Sequence, residues 1–579
     1  MSKGELTLEP GGSAPSTVES KGLKGGALGL LSSIVVGMAS TAPAYSLAAT
    51  LGLIVASGGA LLAGVKAPAI VLIAFIPMYM IAVAYQELNK AEPDCGTTFT
   101  WASRAFGPLI GWLGGWGIIA ADVIVMANLA QIAGAYSFTF VGDLGWHSVA
   151  DLANSTLWST VAGVIWIIVM TYICYRGIEV SARIQYGLLG IELVVLVVFS
   201  IVALIKVYAG KAETYSLHPS LSWFWPGGLD FGTVIAPAIL TAIFIYWGWD
   251  TAVACNEESE DPGTTPGRAA VISTFLLLAT YALVSVSAIA FAGTGTDGIG
   301  LGNPDNAADA FAAIGPDLFG DSVLGHIGLL LLSASILTSA SASTQTTILP
   351  TARTTLSMGV YRALPQSFAK IHRTYLTPTT STIVMGAVSI GFYVLFTLIS
   401  SNLLSALIGS VGLMIAFYYG LTGFACVWFY RKDLTASTRD FVMRGVVPLL
   451  GGLILLVVFA YGLIQYAKPD WLTDADGNNV TIFGFGAVAV VGIGALVLGV
   501  ILMGVWWLMS PDFFRGRTLS RRSSADLVLT PATAVEAHFG LPDSGDMPTV
   551  ISPDLSNLPP GETALNPETG EEFTRGPQA

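Results

Sequence analysis

The sequence predicts an all-α membrane protein with twelve transmembrane helices, arranged as two inverted five-helix repeats followed by two extra helices. Three observations carry this expectation. Hydrophobic residues fill 53% of the 579 positions and charged residues only 11%, against about 25% charged in soluble domains. Two apolar stretches, the first and the sixth, are interrupted at mid-depth by glycine and proline. Lysine and arginine gather on one side of the expected membrane. The chain therefore reads as one polytopic domain with polar ends, not as a string of soluble domains.

Residues 1–24 form the polar N-terminus, Gly/Ser/Pro/Glu-rich up to 22 and expected to be disordered and cytoplasmic. They show no signal-peptide cleavage pattern, so the first span is expected to stay as an uncleaved anchor. That span, residues 27–57, holds no charged residue and exceeds the ~20 apolar residues that cross a bilayer. Its middle reads Gly37-Met38-Ala39-Ser40-Thr41-Ala42-Pro43. Proline has no N–H to donate, and glycine lowers the cost of leaving the helix. In hydrocarbon, freed backbone groups persist only against protein or a water-filled cavity. The stretch is either an ion or substrate site or a simple kink.

Spans about 68–87, 109–140, 157–175 and 184–206 follow, completing a first repeat of about 27–207. The sixth span, 231–254, contains Pro237, Phe244, Tyr246, Trp247, Gly248, Trp249 and Asp250, and reads as a second broken helix. Spans 269–292, 323–347, 379–400 and 402–430 complete a second repeat of about 231–430, and 445–466 and 483–509 are the extra pair. Residues 511–579 hold ten acids against five arginines and are expected to form a disordered cytoplasmic tail. Arg515, Arg517, Arg521 and Arg522 are expected to stop transfer and lie on anionic lipid.

Orientation follows from the positive-inside rule. With the N-terminus inside, 21 of the 25 lysines and arginines are cytoplasmic, and only Lys66, Lys206, Lys211 and Lys468 lie outside. Both ends are thus expected in the cytoplasm, at the plasma membrane. Cys95, Cys174, Cys255 and Cys426 show no metal-ligand spacing and are expected to be reduced structural thiols. The five histidines show none either. No phosphate loop or catalytic triad is present, so neither an enzyme nor a nucleic-acid partner is expected, and no cofactor beyond a coupling H+ or Na+.

Two interrupted helices in corresponding positions point to an inverted-repeat transporter. Five spans per repeat is odd, so the second copy starts from the opposite side and the two breaks face one another at mid-membrane. The loops carry a more specific signal. Glu87-Leu88, Pro93, Gly96, Phe99, Trp101, Arg104, Phe106-Gly107-Pro108, Gly111 and Gly115-Trp116 stand between spans 2 and 3. Arg176-Gly177 with Ser181-Ala182 follows span 4. Gly248-Trp249-Asp250, Glu257-Glu258, Pro262 and Pro266 follow the second break, and Arg353, Leu364-Pro365, His372 and Pro378 follow span 8. Over about residues 22–430 this pattern resembles the amino acid–polyamine–organocation (APC) transporters, which share the leucine-transporter-like five-plus-five fold. Two departures stand out: Gly37-Met38-Ala39 lacks the family's second glycine, and Glu192 falls where many members carry a span-5 lysine.

Half-helix N-termini offer unpaired N–H groups and a positive dipole end to an anion. The backbone of Gly37, Met38, Ala39, Ser40 and Thr41, with that of Tyr246–Asp250 around Gly248, is therefore the expected seat of a substrate carboxylate. The resemblance implies that Phe244 and Tyr246 form a lid over it, unless they simply fill the core. It also implies that Asp122 in span 3 lies near a substrate ammonium, unless it bonds to a neighbouring helix. Ionisable groups within spans cost ~2.5–3.5 kcal/mol on insertion, which marks Glu192 and Asp250 for coupling or gating. Glu192 would bind a proton or a cation beside the first break, or bond to a span-8 hydroxyl. Asp250 would couple protonation to gating, or cap the inner half-helix. Thr338, Ser339 and Ser341 fall near the sodium site of the fold, although small residues also serve tight packing. Asn128 and Gln131 are weaker candidates for polar contacts.

The function expected is secondary active transport of amino acids by alternating access, ion- or proton-coupled. By analogy with the fold, spans 1, 2, 6 and 7 rock against spans 3, 4, 8 and 9. Polyamines or other small amines are the alternative cargo, and a channel or a transport-dead sensor the alternative class.

Overall fold

The computed structural model describes residues 21–56, 63–212, 215–307, 309–399, 401–472, 478–524, 563–565 and 572–574. Residues 1–20, on which most of the expected disordered N-terminus falls, lie outside the described residues. Eleven helices among the described residues are long and apolar enough to cross a membrane. The sixth expected span is not one of them: its continuous apolar helix is only Phe231–Tyr246, because the chain leaves the helix there.

The first span is two helices, α1 (Leu30–Ser40) and α2 (Pro43–Val55). Pro43 sits at the first position of α2, where its missing N–H costs nothing, and Ala42 before it adopts a left-handed φ of 46°. Then come α3 (Ala67–Ala91), α4 (Thr98–Phe106), α5 (Pro108–Asp143) and the short α6 (His147–Ala150). Helices α7 (Thr156–Arg176) and α8 (Ile178–Tyr208) close the first repeat. The sixth span is split into α9 (Ala236–Tyr246) and α10 (Thr251–Ala254). It is followed by α11 (Thr265–Ala292), α12 (Ala310–Phe319), α13 (Val323–Val360), α14 (Thr379–Ile399) and α15 (Ser401–Phe429). Then come α16 (Thr438–Asp440), α17 (Val447–Tyr466), α18 (Ala487–Met509) and α19 (Pro511–Phe514).

Helices α10 and α11 pack with α1, α9 packs with α2, and α3 packs with both α9 and α11, while α5, α7, α13 and α14 pack with one another. These two groups are the first, second, sixth and seventh spans and the third, fourth, eighth and ninth.

Three expectations are corrected. The eighth span continues to Val360 rather than 347, which takes Arg353 into a helix; there the guanidinium is buried and bidentate to Glu258, with Nε 2.5 Å and Nη2 2.8 Å from its carboxylate oxygens. The segment after the last span is not a disordered tail from its first residue. Residues 511–524 fold back as a strap, burying Phe513, Phe514 and Leu519 against Phe99, Trp112, Met358 and Ala363. Apolar side chains six residues apart in a polar sequence give no helical period, which hid them. Within the strap, Arg522 N–H donates to the Arg104 carbonyl (3.1 Å), and Arg104 Nη1 donates to the Ser520 carbonyl (3.0 Å). Arg521 lies against Gly107. These two arginines therefore meet protein rather than lipid alone. Farther on, Thr563–Leu565 pairs antiparallel with Glu572–Thr574.

The third correction is at the other end. Lys21, within the stretch expected to be disordered, is buried between loop and helix ends. Its ammonium bonds Asp94 (2.9 Å) and Glu257, and lies 5.9 Å from the centre of the Tyr361 ring. Burial alone would disfavour the charge, but Asp94 and Glu257 outweigh it and hold the Lys21 ammonium well above its usual range. Burial likewise pushes the Asp94 carboxyl up, and Lys21 reverses this, leaving it at about 2. Asp94, Cys95 and Glu257 bring ligand atoms close enough for a metal ion, but the Lys21 ammonium already supplies the positive charge there. All four cysteines are free and buried.

Candidate functional site

The two breaks touch. Gly248 lies at φ 122°, and a Cβ there would come within 2.8 Å of the Ser40 carbonyl carbon and oxygen. Only glycine combines that backbone geometry with that approach. Hydrogen bonds then tie the breaks together. The hydroxyls of Ser40 and Thr251 lie 2.9 Å apart, and Tyr281 hydroxyl donates to Thr41 Oγ1 (3.2 Å) and to the Ile245 carbonyl.

The carbonyls freed by the first break are mostly satisfied by hydroxyls. Ser343 donates to the Ser40 carbonyl (2.8 Å), Ser46 to the Thr41 carbonyl (2.6 Å) and Thr41 to the Met38 carbonyl (2.8 Å). The break itself falls at Thr41–Ala42 rather than around Gly37. Gly37, Met38, Ala39 and Ser40 are the last turns of α1, and Gly37 faces Ala252, Ser273 and the Trp249 carbonyl. Gly37 thus gives close helix packing, a role the sequence does not distinguish from ligand contact.

The donors at the start of α2 are occupied. Ala44 N–H donates to Glu192 Oε1 (2.6 Å), and Ser339 Oγ both donates to Glu192 Oε1 (2.7 Å) and accepts from Tyr45 N–H (3.1 Å). Glu192 is fully buried and its second oxygen, Oε2, has no partner among the described residues. An internal carboxylate thus sits on the positive end of α2, where a substrate carboxylate was the expectation. At the second break the picture differs. The N–H groups of Gly248, Trp249 and Asp250 meet no backbone carbonyl among the described residues; that of Gly248 faces the Tyr419 hydroxyl and that of Asp250 its own carboxylate, which leaves Trp249 as the donor this break offers.

Asp250 is buried and accepts from Tyr418 hydroxyl (3.0 Å), which in turn accepts from Trp247 Nε1. This indole–phenol–carboxylate chain joins the second break to α15. Nothing local in the sequence marks Tyr418. Asp122 is buried on α5 and accepts from Thr351 on α13, and it lies within electrostatic reach of Asp250 at the second break. Phe244 is 4% exposed in the last turn of α9. Tyr246 donates its hydroxyl to the Val71 carbonyl (3.1 Å) and meets Tyr281 edge-on, which is helix packing. Among the span-8 hydroxyls, Ser339 reaches the site. Thr338 bonds back to the Ser335 carbonyl (3.1 Å), and Ser341 Oγ is buried without a partner among the described residues. Ser343, one of seven hydroxyl residues between 333 and 344, grips the first break. Asn128 Oδ1 is also buried and unpartnered there.

Comparison with known proteins agrees with this architecture. An uncharacterised transporter of Mycobacterium tuberculosis (strain ATCC 25618 / H37Rv) is 27% identical over 439 residues, covering 75% of this chain and 86% of the relative. The branched-chain amino acid permease BcaP of Lactococcus lactis subsp. cremoris is 25% identical over 412 residues, covering 69% of this chain and 82% of the relative. The crystal structure of MhsT in complex with L-phenylalanine superposes with a TM-score of 0.54 at 16% identity, covering 75% of this chain and 98% of that one. That likeness shows the fold, which is leucine-transporter-like. The family model for amino acid permeases matches residues 28–490. The chain belongs to the amino acid permease family, within the APC transporters, and is a multi-pass secondary transporter.

Proposed function

We propose that this transporter carries amino acids across the plasma membrane by alternating access, with both termini in the cytoplasm. One observation carries the reading: the two breaks abut, and the second presents the Trp249 N–H, which meets no backbone carbonyl among the described residues. A carboxylate seated there would need no arginine, and the acids Asp122 and Asp250 suit the ammonium end of a zwitterion. Relatives named as branched-chain amino acid permeases support an amino acid cargo. The placement of 21 of 25 lysines and arginines supports the orientation.

Coupling runs through Glu192. Its Oε1 holds α2 while Oε2 has no partner among the described residues, a position suited to carrying a proton. Sodium is the other occupant of this position. Uptake of a radiolabelled amino acid panel into proteoliposomes, under a proton or a sodium gradient, tests both steps. Accumulation driven by the proton gradient is expected; a purified, folded protein that moves no amino acid and no amine would remove the reading.

Polyamines and other decarboxylated amines are the second reading. The specific observation in their favour is that Glu192 already occupies the α2 N-terminus, which leaves one anion seat fewer for a carboxylated cargo. Uptake of putrescine with indifference to leucine would select it.

A further inference from the structure

A groove of about 610 Å³ opens between α5, α13, α14 and α18, away from the breaks. All four helices are long and apolar enough to cross a membrane, so its walls stand at hydrocarbon depth. Those walls include Trp112, Trp116, Val388, Phe392 and Leu498. Its hydroxyls are turned to protein: Thr351 donates to Asp122 and Ser381 to the Phe368 carbonyl. Water finds too few polar partners in such a space to stay, and a void that size forfeits dispersion contacts on every wall. Something apolar fills it.

One end of the groove says more about the occupant. Leu364 and Phe368, from the segment joining α13 to α14, line that end. Leu364 packs with Met503 and Trp506 of α18 on the cluster that holds the strap's Phe513. The charged residues following these elements are nearly all cationic: Arg362, Lys370, Arg373, Arg515, Arg517, Arg521 and Arg522 against the single acid Asp512. Arg515 and Arg373 are exposed, and Arg362 and Arg517 share Asp512 at 3.5 and 3.1 Å. An apolar slot at membrane depth, ending beside surplus positive charge, fits a molecule with an acyl chain and an anionic headgroup.

We propose that this groove is a binding site for an anionic phospholipid, one chain lying along Trp112, Trp116 and Phe392 and the headgroup held beside Lys370 and Arg515. Because Thr351 forms part of the groove wall and also holds Asp122, the lipid abuts a buried carboxylate of the transport domain. The site is independent of the cargo proposed above.

Native mass spectrometry of the full-length protein tests it, after exchange into phosphatidylglycerol or phosphatidylcholine micelles. The expected result is one phosphatidylglycerol retained through delipidation, at least tenfold over phosphatidylcholine. Gly494 lines the groove and has open space at its Cβ position, so Gly494→Phe fills the slot and should abolish retention. Val388→Trp, from the α14 wall, does the same from a second helix. Lys370→Gln with Arg515→Gln should leave a chain bound but erase the headgroup preference. Undiminished retention in both filled variants, equal retention of the two lipids by the parent, or a lipid-free dimer would overturn the proposal. Thermal unfolding in detergent separates loss of lipid from loss of fold.

Discussion

Gly248 is the residue on which the contact between the breaks turns. Its left-handed φ costs about 1–3 kcal/mol for a residue with a side chain, and a Cβ would press on the Ser40 carbonyl at 2.8 Å. Gly248→Ala is therefore expected to lower both thermal stability and uptake, more than the same change at Gly187, where nothing lies within 4 Å. Glu192 allows a finer separation. Glu192→Gln retains an oxygen that accepts from Ala44 and Ser339 but cannot carry the proton, so folding should persist while proton-driven accumulation falls at least tenfold. Glu192→Ala strands the buried Ala44 N–H and should cost about 1–3 kcal/mol in addition. If proton-driven accumulation in the Gln variant matches the parent, Glu192 is a structural hydrogen-bond acceptor only. Asp122→Asn in the same assay asks whether that acid serves cargo or only α13.

At the scale of elements, the decisive features are where helices stop and what meets their ends. Pro43 and Gly248 made both interruptions legible, because proline and glycine act locally. The exact stop at Thr41–Ala42 was not legible. It depends on Ser343 reaching the Ser40 carbonyl across 303 residues of sequence, and a serine in a serine-rich span carries no sign of that. The same holds for Tyr418 and Tyr281. The Lys21 lock was hidden for another reason: a lone lysine after a polar run looks solvated until Asp94 and Glu257 converge on it. Its titration is predictable. A carboxyl held at about 2, below an unfolded value of about 3.9, contributes stability that is fully present above the unfolded value and is lost progressively as pH falls from there through 2. The raised Lys21 value acts at the opposite, alkaline end. Between pH 5 and 8 the lock is constant, and pH dependence of transport in that range must come from groups elsewhere. Lys21→Met should leave Asp94 and Glu257 repelling one another, and raise maleimide labelling of buried Cys95 at least tenfold, read by peptide mapping.

Across the whole molecule, membrane class and the split into two repeats followed from composition and from the placement of breaks, charges and loop motifs. What escaped was long-range closure of one face. The strap spans three parts of this face: it meets Arg104 in the last turn of α4, Tyr361 after α13, and Asp433 after α15. Phe513→Ala should therefore destabilise the entire protein by ~3 kcal/mol, visible as a lower unfolding temperature in detergent, although the residue lies outside every spanning helix. An unchanged temperature would mean that the strap rests on the surface without supporting it.

Tyr361 accepts Thr518 of the strap at its carbonyl (2.6 Å), gives its hydroxyl to Asp94 (2.9 Å), and presents its ring to Lys21. Lys21 and Thr518 of the strap are thereby moored to one residue, the first through its ring and the second through its carbonyl. Whatever pulls the strap away from this face therefore tugs on the same post that keeps Lys21 docked. Fluorophores placed beside Lys21 and beside Thr518 should accordingly part together when this face opens, which makes the pair a gauge of opening that needs no label inside the bilayer.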